Sequence, residues 1–368
     1  MVPITCLAGG LFAAGLRAIG YSPFYATAVR AMSQSWRAFV FGAVDRQGTL
    51  TIDKAPGFLW PQALSVRLFG LHPWSLVLPQ IAEGMICTVG IYFLVVGLFG
   101  RMSAVLAAVA FAASPIVAST FGHTMEDGLL ATSLVLAALC WQRMIRTGSW
   151  FALVMCGAFV GLGFQAKMLQ AWLILVPLVI AMLLHWPIPW RQRLLRAGSL
   201  VGVSVAVSLS WAVTVLAVPG SHRPFVDGTT NGSVLSMLFG YNALGRFGVL
   251  LPGSLPIAFP TRGEPDETLT KLITADLYSQ YGWLLPVAVI GGFTAYLLAR
   301  RDDHSAGPTV RRPVLAMWLL WLVTTFAVVS VGHISHTAYV LALAPPIAVL
   351  FGASMPVLVR LYRRNTSG

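Results

Sequence analysis

Long apolar runs dominate the chain, and short stretches rich in arginine or in Gly, Pro and aromatic residues separate them. A membrane-spanning helix takes about 20 mainly apolar residues. Ten runs approach that length: Ile4–Ile19, Trp74–Leu98, Met102–Thr120, Gly128–Cys140, Trp150–Phe164, Leu169–Leu184, Ala197–Val218, Gly282–Leu298, Val314–Val331 and Ala338–Val359. Several are short enough that their ends extend into the flanking residues. No alternation of about ten residues recurs, which excludes a β-barrel. Two shorter stretches, Pro23–Trp36 and Leu59–Leu68, pattern at helical period and predict amphipathic helices in the membrane plane. Pro23 suits a helix start, and Trp60 suits an interfacial anchor.

Composition agrees with this reading. Of 368 residues, 57% are hydrophobic and 10% charged, against about 25% charged in a soluble domain. Such a chain cannot cover a globule with polar side chains, so a cytosolic enzyme, a nucleic-acid module and a disulfide scaffold are excluded. Cys6, Cys87, Cys140 and Cys156 all lie in apolar runs without CxxC spacing, and are expected as buried thiols. The first run has no basic leader or small-residue cleavage site, and reads as a retained membrane segment. The chain reads as one all-α polytopic membrane domain over 1–368, with no separate soluble domain.

The net charge of +12 is distributed by side. Arg101; Arg143 and Arg146; Arg191, Arg193 and Arg196; Arg300, Arg301, Arg311 and Arg312; and Arg360, Arg363 and Arg364 occupy alternate connections. By the positive-inside rule these connections, and both termini, face the cytoplasm. The opposite connections hold every acid except Glu83, Asp302 and Asp303, and two of them are long, 21–73 and 219–281.

Candidate chemistry gathers on that outer face: Asp45, Asp53 and Lys54 in FGAVDRQGTLTIDKAPGFLWPQAL, Glu126 and Asp127 in FGHTMEDGLL, Lys167 in GLGFQAKMLQAW. Further on come Arg223 and Asp227 in SHRPFVDGTTNGSV, Tyr241, Asn242 and Arg246 in FGYNALGRFG, and His333 and His336 in GHISHTAYVLALAPP. Charged groups beside a dry core are costly to hold and point to function. Other readings stand beside that one: Glu126 and Asp127 also suit the positive end of a helix dipole, Arg223 and Arg246 also suit lipid phosphates, and the histidines suit an interface. Asp266, Glu267 and Asp276 read as a solvated segment. Two of the three lysines, Lys54 and Lys167, sit inside outer-face motifs. A lysine at the lipid–water boundary is a point charge suited to phosphate, and a neighbouring carboxylate can hold it or accept a proton. These residues suggest an anionic, phosphorylated ligand at the outer leaflet without naming a reaction.

The run FYATAVRAMSQSWRAFVFGAVDRQGTLTIDKAPGFLWPQALSVRLFGLHPWSLVLPQ resembles the first extracytoplasmic loop of bacterial GT-C glycosyltransferases. These form the protein-mannosyltransferase and aminoarabinose-transferase superfamily, here the branch provisionally labelled mannosyltransferase. GLGFQAKMLQAW, SLSWAV, SHRPFVDGTTNGSV, FGYNALGR and HTAYVLALAPPIA extend the likeness, in order, over most of the chain. The resemblance implies a GT-C-like bundle of about ten transmembrane helices in the bacterial inner or plasma membrane. It also implies inverting transfer of a hexosyl or pentosyl group from a polyprenyl-phosphate donor to an extracytoplasmic glycan, lipid or protein.

In this reading Lys54 contacts the lipid phosphate, with Lys167, Arg223, Arg246, Glu126, Tyr241, Asn242, His336 and Tyr339 around donor and phosphate. Asp53, Asp127 and Asp45 are the catalytic candidates. A divalent metal on Asp53, Asp127 and His336 stays an open option, without a self-contained metal motif. One departure stands out: many relatives carry an Asp-Glu pair just after the first membrane helix, and here that stretch reads GYSPFYATAV. The missing acid keeps a noncatalytic lipid-binding or assembly subunit as an alternative. A lipid or solute transporter is the other, although Glu83 alone is a mid-helix acid.

Overall fold

The computed structural model describes residues 2–19, 22–256, 270–302, 310–333 and 337–366. Helix α1 (Val2–Ile19) leads into three short helices, α2 (Pro23–Gln34), α3 (Trp36–Phe41) and α4 (Trp60–Phe69). Helices α5 (Pro73–Phe99), α6 (Arg101–Ala112), α7 (Pro115–Phe121), α8 (Glu126–Thr147) and α9 (Trp150–Lys167) follow. Then come α10 (Leu169–Trp172), α11 (Leu175–His185) and α12 (Trp190–Leu216). The last four are α13 (Ala275–Tyr281), α14 (Leu285–Asp302), α15 (Arg311–Val331) and α16 (Ala344–Thr366). Among the described residues there are no extended strands, only the single bridges Ala43 to Thr51, Leu50 to Phe225 and Thr229 to Ser254.

Among the described residues, seven helical stretches are long and apolar enough to cross a membrane. The pair α6–α7 makes one further span, bent by 63° where Ser114 and Pro115 interrupt the helix, and Val2–Leu16 and Leu169–His185 are shorter apolar helices. Every apolar run read from the sequence therefore contains helix. Two runs expected as continuous are broken, at Ala113–Ser114 and at Leu173–Ile174. The first break follows from Pro115, whose ring disfavours helical backbone at the residue before it.

Lipid tails are as apolar as leucine, so membrane helices associate through close packing rather than water exclusion. Helix α9 carries Gly157 and Gly161 one turn apart against α12. A methyl group at Gly161 would lie 2.5 Å from Val207 Cβ, and one at Gly157 2.9 Å from Val203 Cβ. Helix α8 is surrounded on most faces, whereas α12 and α14 turn much of their surface outward. Cys87 and Cys156 are buried thiols, as expected; Cys6 is exposed, because it lies on the outward face of α1.

The helices alternate in direction, so their ends form two groups. Arg101, Arg146, Arg191 and Arg311 mark one end. There, Arg193 donates to the Leu183 and Ile188 carbonyls, and Arg196 donates to the Gly148 carbonyl while lying over Trp150 and Trp186. At the other end the two long connections clasp each other. Phe225 N–H donates to the Thr49 carbonyl, Thr51 N–H donates to the Phe225 carbonyl, and the Arg37 guanidinium donates to the His222 carbonyl. Both amphipathic stretches of the first connection are helical, as α2 and α4.

Candidate active site

The clasped end gathers side chains from five parts of the chain. Glu126 and Asp127 open α8, where the free N–H groups of a helix favour carboxylates. That helix start is held by Gln80 of α5, which donates to the Met125 carbonyl and accepts from Gln62. Lys167 closes α9, and the chain reverses at Met168, a non-glycine residue with φ 41° and ψ −128°. Such backbone is strained for a side chain bearing a Cβ and persists only where the surroundings enforce it; Met168 is itself buried. The turn ends α9 and begins α10 in one step, leaving the Lys167 ammonium facing α8.

The segment Asp53–Leu59 crosses the same end. Pro56–Leu59 forms a tight helical turn against the end of α9. A methyl group at Gly57 would lie 2.5 Å from Gln165 Cβ and 2.7 Å from the Gln165 carbonyl oxygen, so only glycine permits this approach. Asn242 donates to the Asp53 carbonyl at 2.7 Å and binds the second long connection to the first.

The charges are paired unequally. Lys167 Nζ lies 2.6 Å from both Asp127 carboxylate oxygens and 3.9 Å from Glu126 Oε1. It also stands 3.6 Å from the centre of the Tyr339 ring, with the Arg246 guanidinium 5.9 Å from that ring. Lys54 Nζ lies 3.1 Å from both Asp53 oxygens. The Tyr25 hydroxyl donates to Glu126 Oε2 at 3.0 Å, and its ring packs edge-on against Phe58. Among the described residues, Asp53, Glu126 and Asp127 thus face Lys54, Lys167 and Arg246, and their formal charges balance. Burial alone would lower the pKa of Lys54, but the Glu126 and Asp53 carboxylates hold it well above the ordinary lysine value. Burial, with Glu126 beside it, pushes the Tyr25 hydroxyl up, so Tyr25 remains a hydrogen-bond donor.

A cavity of about 360 Å³ opens beside these groups. Lys54, Lys167, Arg246 and Glu126 line its polar end; Leu169, Leu173, Val176, Phe247, Val328 and Val329 line the rest. Val176 is 45% exposed on α11, so the apolar wall reaches the surface of the helical bundle. The shape suits an amphiphile with an anionic head and an apolar tail.

Of the residues singled out in the sequence, Asp53, Lys54, Glu126, Asp127, Lys167, Asn242, Arg246 and Tyr339 come together here. His333 also lines the cavity. Tyr241 is half-buried just before Asn242, beside Gly228. Asp45 and Arg223 do not line the cavity. The Asp45 carboxylate accepts from the N–H groups of Thr49 and Leu50 and from the Thr49 hydroxyl, closing its own turn. Asp227 likewise accepts from Gly228 N–H. His336, Asp266 and Glu267 lie outside the described residues. Among the described residues no three His, Cys, Asp or Glu side chains converge on a metal-sized site, and both aspartates of the open metal option are paired with lysines.

Three groups at the site went unread in the sequence. Tyr25 supplies the hydrogen bond to Glu126. Gln170 lines the cavity with its amide buried and without a hydrogen-bond partner. Lys271, buried, donates to the Gly332 carbonyl at 2.6 Å and so fixes the wall beside His333.

Comparison with known proteins gives this geometry a context. A family model described as dolichyl-phosphate-mannose-protein mannosyltransferase matches residues 53–211, beginning at Asp53. Two Bacillus subtilis proteins with the provisional name mannosyltransferase, YkcB and YycA, are each 27% identical; the matches cover 94% and 93% of this chain. The chain spans only 60% and 61% of their lengths. Among solved structures, ArnT of Cupriavidus metallidurans bound to undecaprenyl phosphate superposes with a TM-score of 0.66 at 17% identity, over 96% of this chain and 60% of that one. The archaeal oligosaccharyltransferase AglB of Archaeoglobus fulgidus, in complex with an inhibitory peptide and a dolichol-phosphate, gives a TM-score of 0.55 at 13% identity, over 100% of this chain and 51% of that one. The fold of this chain is the GT-C fold of these membrane proteins.

Proposed function

We propose that this chain is an integral-membrane glycosyltransferase that takes a hexosyl or pentosyl group from a polyprenyl-phosphate donor. The acceptor is a glycan, lipid or protein outside the cytoplasm. The observation that carries this reading is the cavity itself, with Lys54, Lys167 and Arg246 at one end of an apolar channel. A phosphate on a long hydrocarbon satisfies both ends, whereas a soluble sugar nucleotide would leave the apolar wall unmatched. The lipid-phosphate ligands bound to ArnT and AglB, two proteins of the same fold, support the assignment.

In the reaction, the bond from the anomeric carbon to the phosphate oxygen breaks as the acceptor oxygen attacks from the opposite face. The configuration inverts. Negative charge grows on the departing lipid phosphate, where Lys54 and Lys167 stand, and charge stabilisation of this kind contributes about 10²–10³ in rate. The arginine-lined helix ends face the cytoplasm of a bacterial cell, which puts both termini inside and the cavity on the outer leaflet. Asn242, Ala243, Leu244, Arg246 and Phe247 border the cavity, and the segment 219–281 that carries them is assigned to acceptor recognition. The test is transfer in proteoliposomes from a panel of radiolabelled undecaprenyl-phosphoryl sugars. Transfer from at least one sugar is expected, with loss in Lys54→Ala; no consumption of any donor would overturn the reading.

A further inference from the structure

We propose that the first long connection carries a binding site for an anionic phospholipid of the bilayer, in a hollow of about 500 Å³ between α2 and α4. This site is independent of the glycosyltransferase reading and needs only that α5 crosses a membrane. Arg30, Ser33 and Gln34 line the hollow from α2, Arg67 lines it from α4, and Gly70 and Leu71 close it. None of these residues belongs to the cavity beside Lys54.

The sequence builds the hollow from two helix faces and one glycine. Positions 30, 33 and 34 share one face of α2, while Tyr25, Val29 and Met32 bury the opposite one. Helix α4 stops at Gly70, whose φ of 79° and ψ of 169° suit a residue without a Cβ, and the chain turns there toward α5. The Arg67 guanidinium is fixed before any ligand arrives. It donates to the Met32 carbonyl at 3.2 Å and lies 3.7 Å from the centre of the Trp36 ring. A guanidinium is a planar fork of N–H donors that matches two oxygens of a phosphate, and exposed Arg30 adds a second positive charge across the hollow.

The rim identifies the bearer of that phosphate. Leu68, Phe69, Leu71 and Trp74 follow one another along the exposed edge of the hollow, Leu68 with 76% of its surface open. The membrane-spanning helix α5 begins at Pro73, so this edge lies where the span enters the bilayer, the level at which tryptophan anchors. A dissolved anion would meet the arginines and leave the apolar rim unmatched. A phospholipid meets both, with its phosphate diester between Arg30 and Arg67 and its acyl chains over Leu68 and Leu71. A headgroup of net negative charge is favoured over a zwitterionic one, whose own cation cancels the attraction. Bound there, it would tie α4 to α2, the helix that carries Tyr25 to Glu126.

Photolabelling of the full chain tests the site. The protein is reconstituted in phosphatidylcholine vesicles holding a small fraction of phosphatidylglycerol that bears a diazirine near the top of one acyl chain. After irradiation, mass spectrometry identifies the labelled peptides. Wild type is expected to carry label within 30–34 and 68–74. Arg30→Gln is expected to lower that label by about fivefold, and Arg30→Gln with Arg67→Gln by about 30-fold. Arg67 also holds Met32, so the single variant at exposed Arg30 keeps the test decisive if the double variant folds poorly. The same diazirine on phosphatidylcholine is expected to label wild type and Arg30→Gln equally. Soluble glycerol phosphate in excess is expected to leave the phosphatidylglycerol label in place. Absence of label from both segments, undiminished label in Arg30→Gln, or an equal loss with both probes would overturn the site. Removal of the label by glycerol phosphate would overturn the lipid as its occupant in favour of a dissolved phosphate. Failure of any sugar transfer, by contrast, would leave this result untouched.

Discussion

The Lys167 ammonium lies 2.6 Å from both carboxylate oxygens of Asp127, a contact between the end of α9 and the start of α8. Both side chains are almost wholly buried, at 5% and 1% exposure. Breaking a buried pair on one side costs about 3–5 kcal/mol, because the other charge is left without its partner. Asp127→Asn is therefore expected to destabilise the detergent-solubilised protein by about 3 kcal/mol. The double variant Asp127→Asn with Lys167→Met should regain most of that stability while staying inactive. Thermal unfolding of the two variants side by side checks both expectations; equal stability of the single and double variants would contradict them.

Lys54 is the cation whose loss should act on rate rather than on folding. It pairs with Asp53 near the surface of the site and lies at the cavity's polar end. Lys54→Ala is expected to lower kcat by about 10²–10³ while the protein still elutes as one species and unfolds near the wild-type temperature. Single-turnover transfer in proteoliposomes measures it.

The pH dependence of donor binding follows from the same lysine. Its folded pKa is raised, so its stabilising contribution is full below the ordinary lysine value and is lost only as pH climbs past the raised one. Donor affinity due to Lys54 is therefore expected to stay flat from pH 6 to about pH 10. Lys54→Ala should reduce it by the same factor throughout. A titration of donor affinity with a Lys54-dependent loss centred below about pH 9 would contradict this.

Gly57 tests the backbone without removing any side chain. A methyl group there meets Gln165 at 2.5 Å, so Gly57→Ala must push Asp53–Leu59 away from α9. A displacement of about 1 Å in a positioned group can cost about 100-fold in rate. Gly57→Ala should therefore approach the Lys54→Ala phenotype with a protein that still inserts and folds, as judged by protease protection in membranes.

The apolar runs were legible because a membrane helix must hide its own backbone and announces this with length and hydrophobicity. The α2 and α4 helices were legible for the same reason at smaller scale, through their period. Lys54 beside Asp53 could be read because the partners are adjacent in the chain. Lys167 and Asp127 were both noticed, but 40 residues separate them, and only the antiparallel packing of α8 and α9 made them a pair. Tyr25 carried no signal: an aromatic residue on an amphipathic helix reads as packing, and its partner Glu126 lies 101 residues away. The strained turn at Met168 was equally silent, since methionine is an ordinary residue until its backbone angles are known. Asp45 stands among the catalytic candidates that the family resemblance implies, and its turn is hidden in the ordinary text DRQGTL.

The balance of charge at the cavity sets the range over which it can be felt. With Asp53, Glu126 and Asp127 set against Lys54, Lys167 and Arg246 among the described residues, these groups attract as a multipole rather than as a net positive charge. Their pull on a distant anion decays faster than that of a bare cation, and salt screens whatever remains beyond a Debye length of about 8–10 Å. Dissolved phosphate passing in bulk water is scarcely drawn in. An anion becomes visible to this site only once something else has carried it to the door, and a hydrocarbon tail sliding along the apolar wall is such a carrier. Discrimination between a lipid-borne phosphate and the free ions of the medium is thus written into the neutrality of the site.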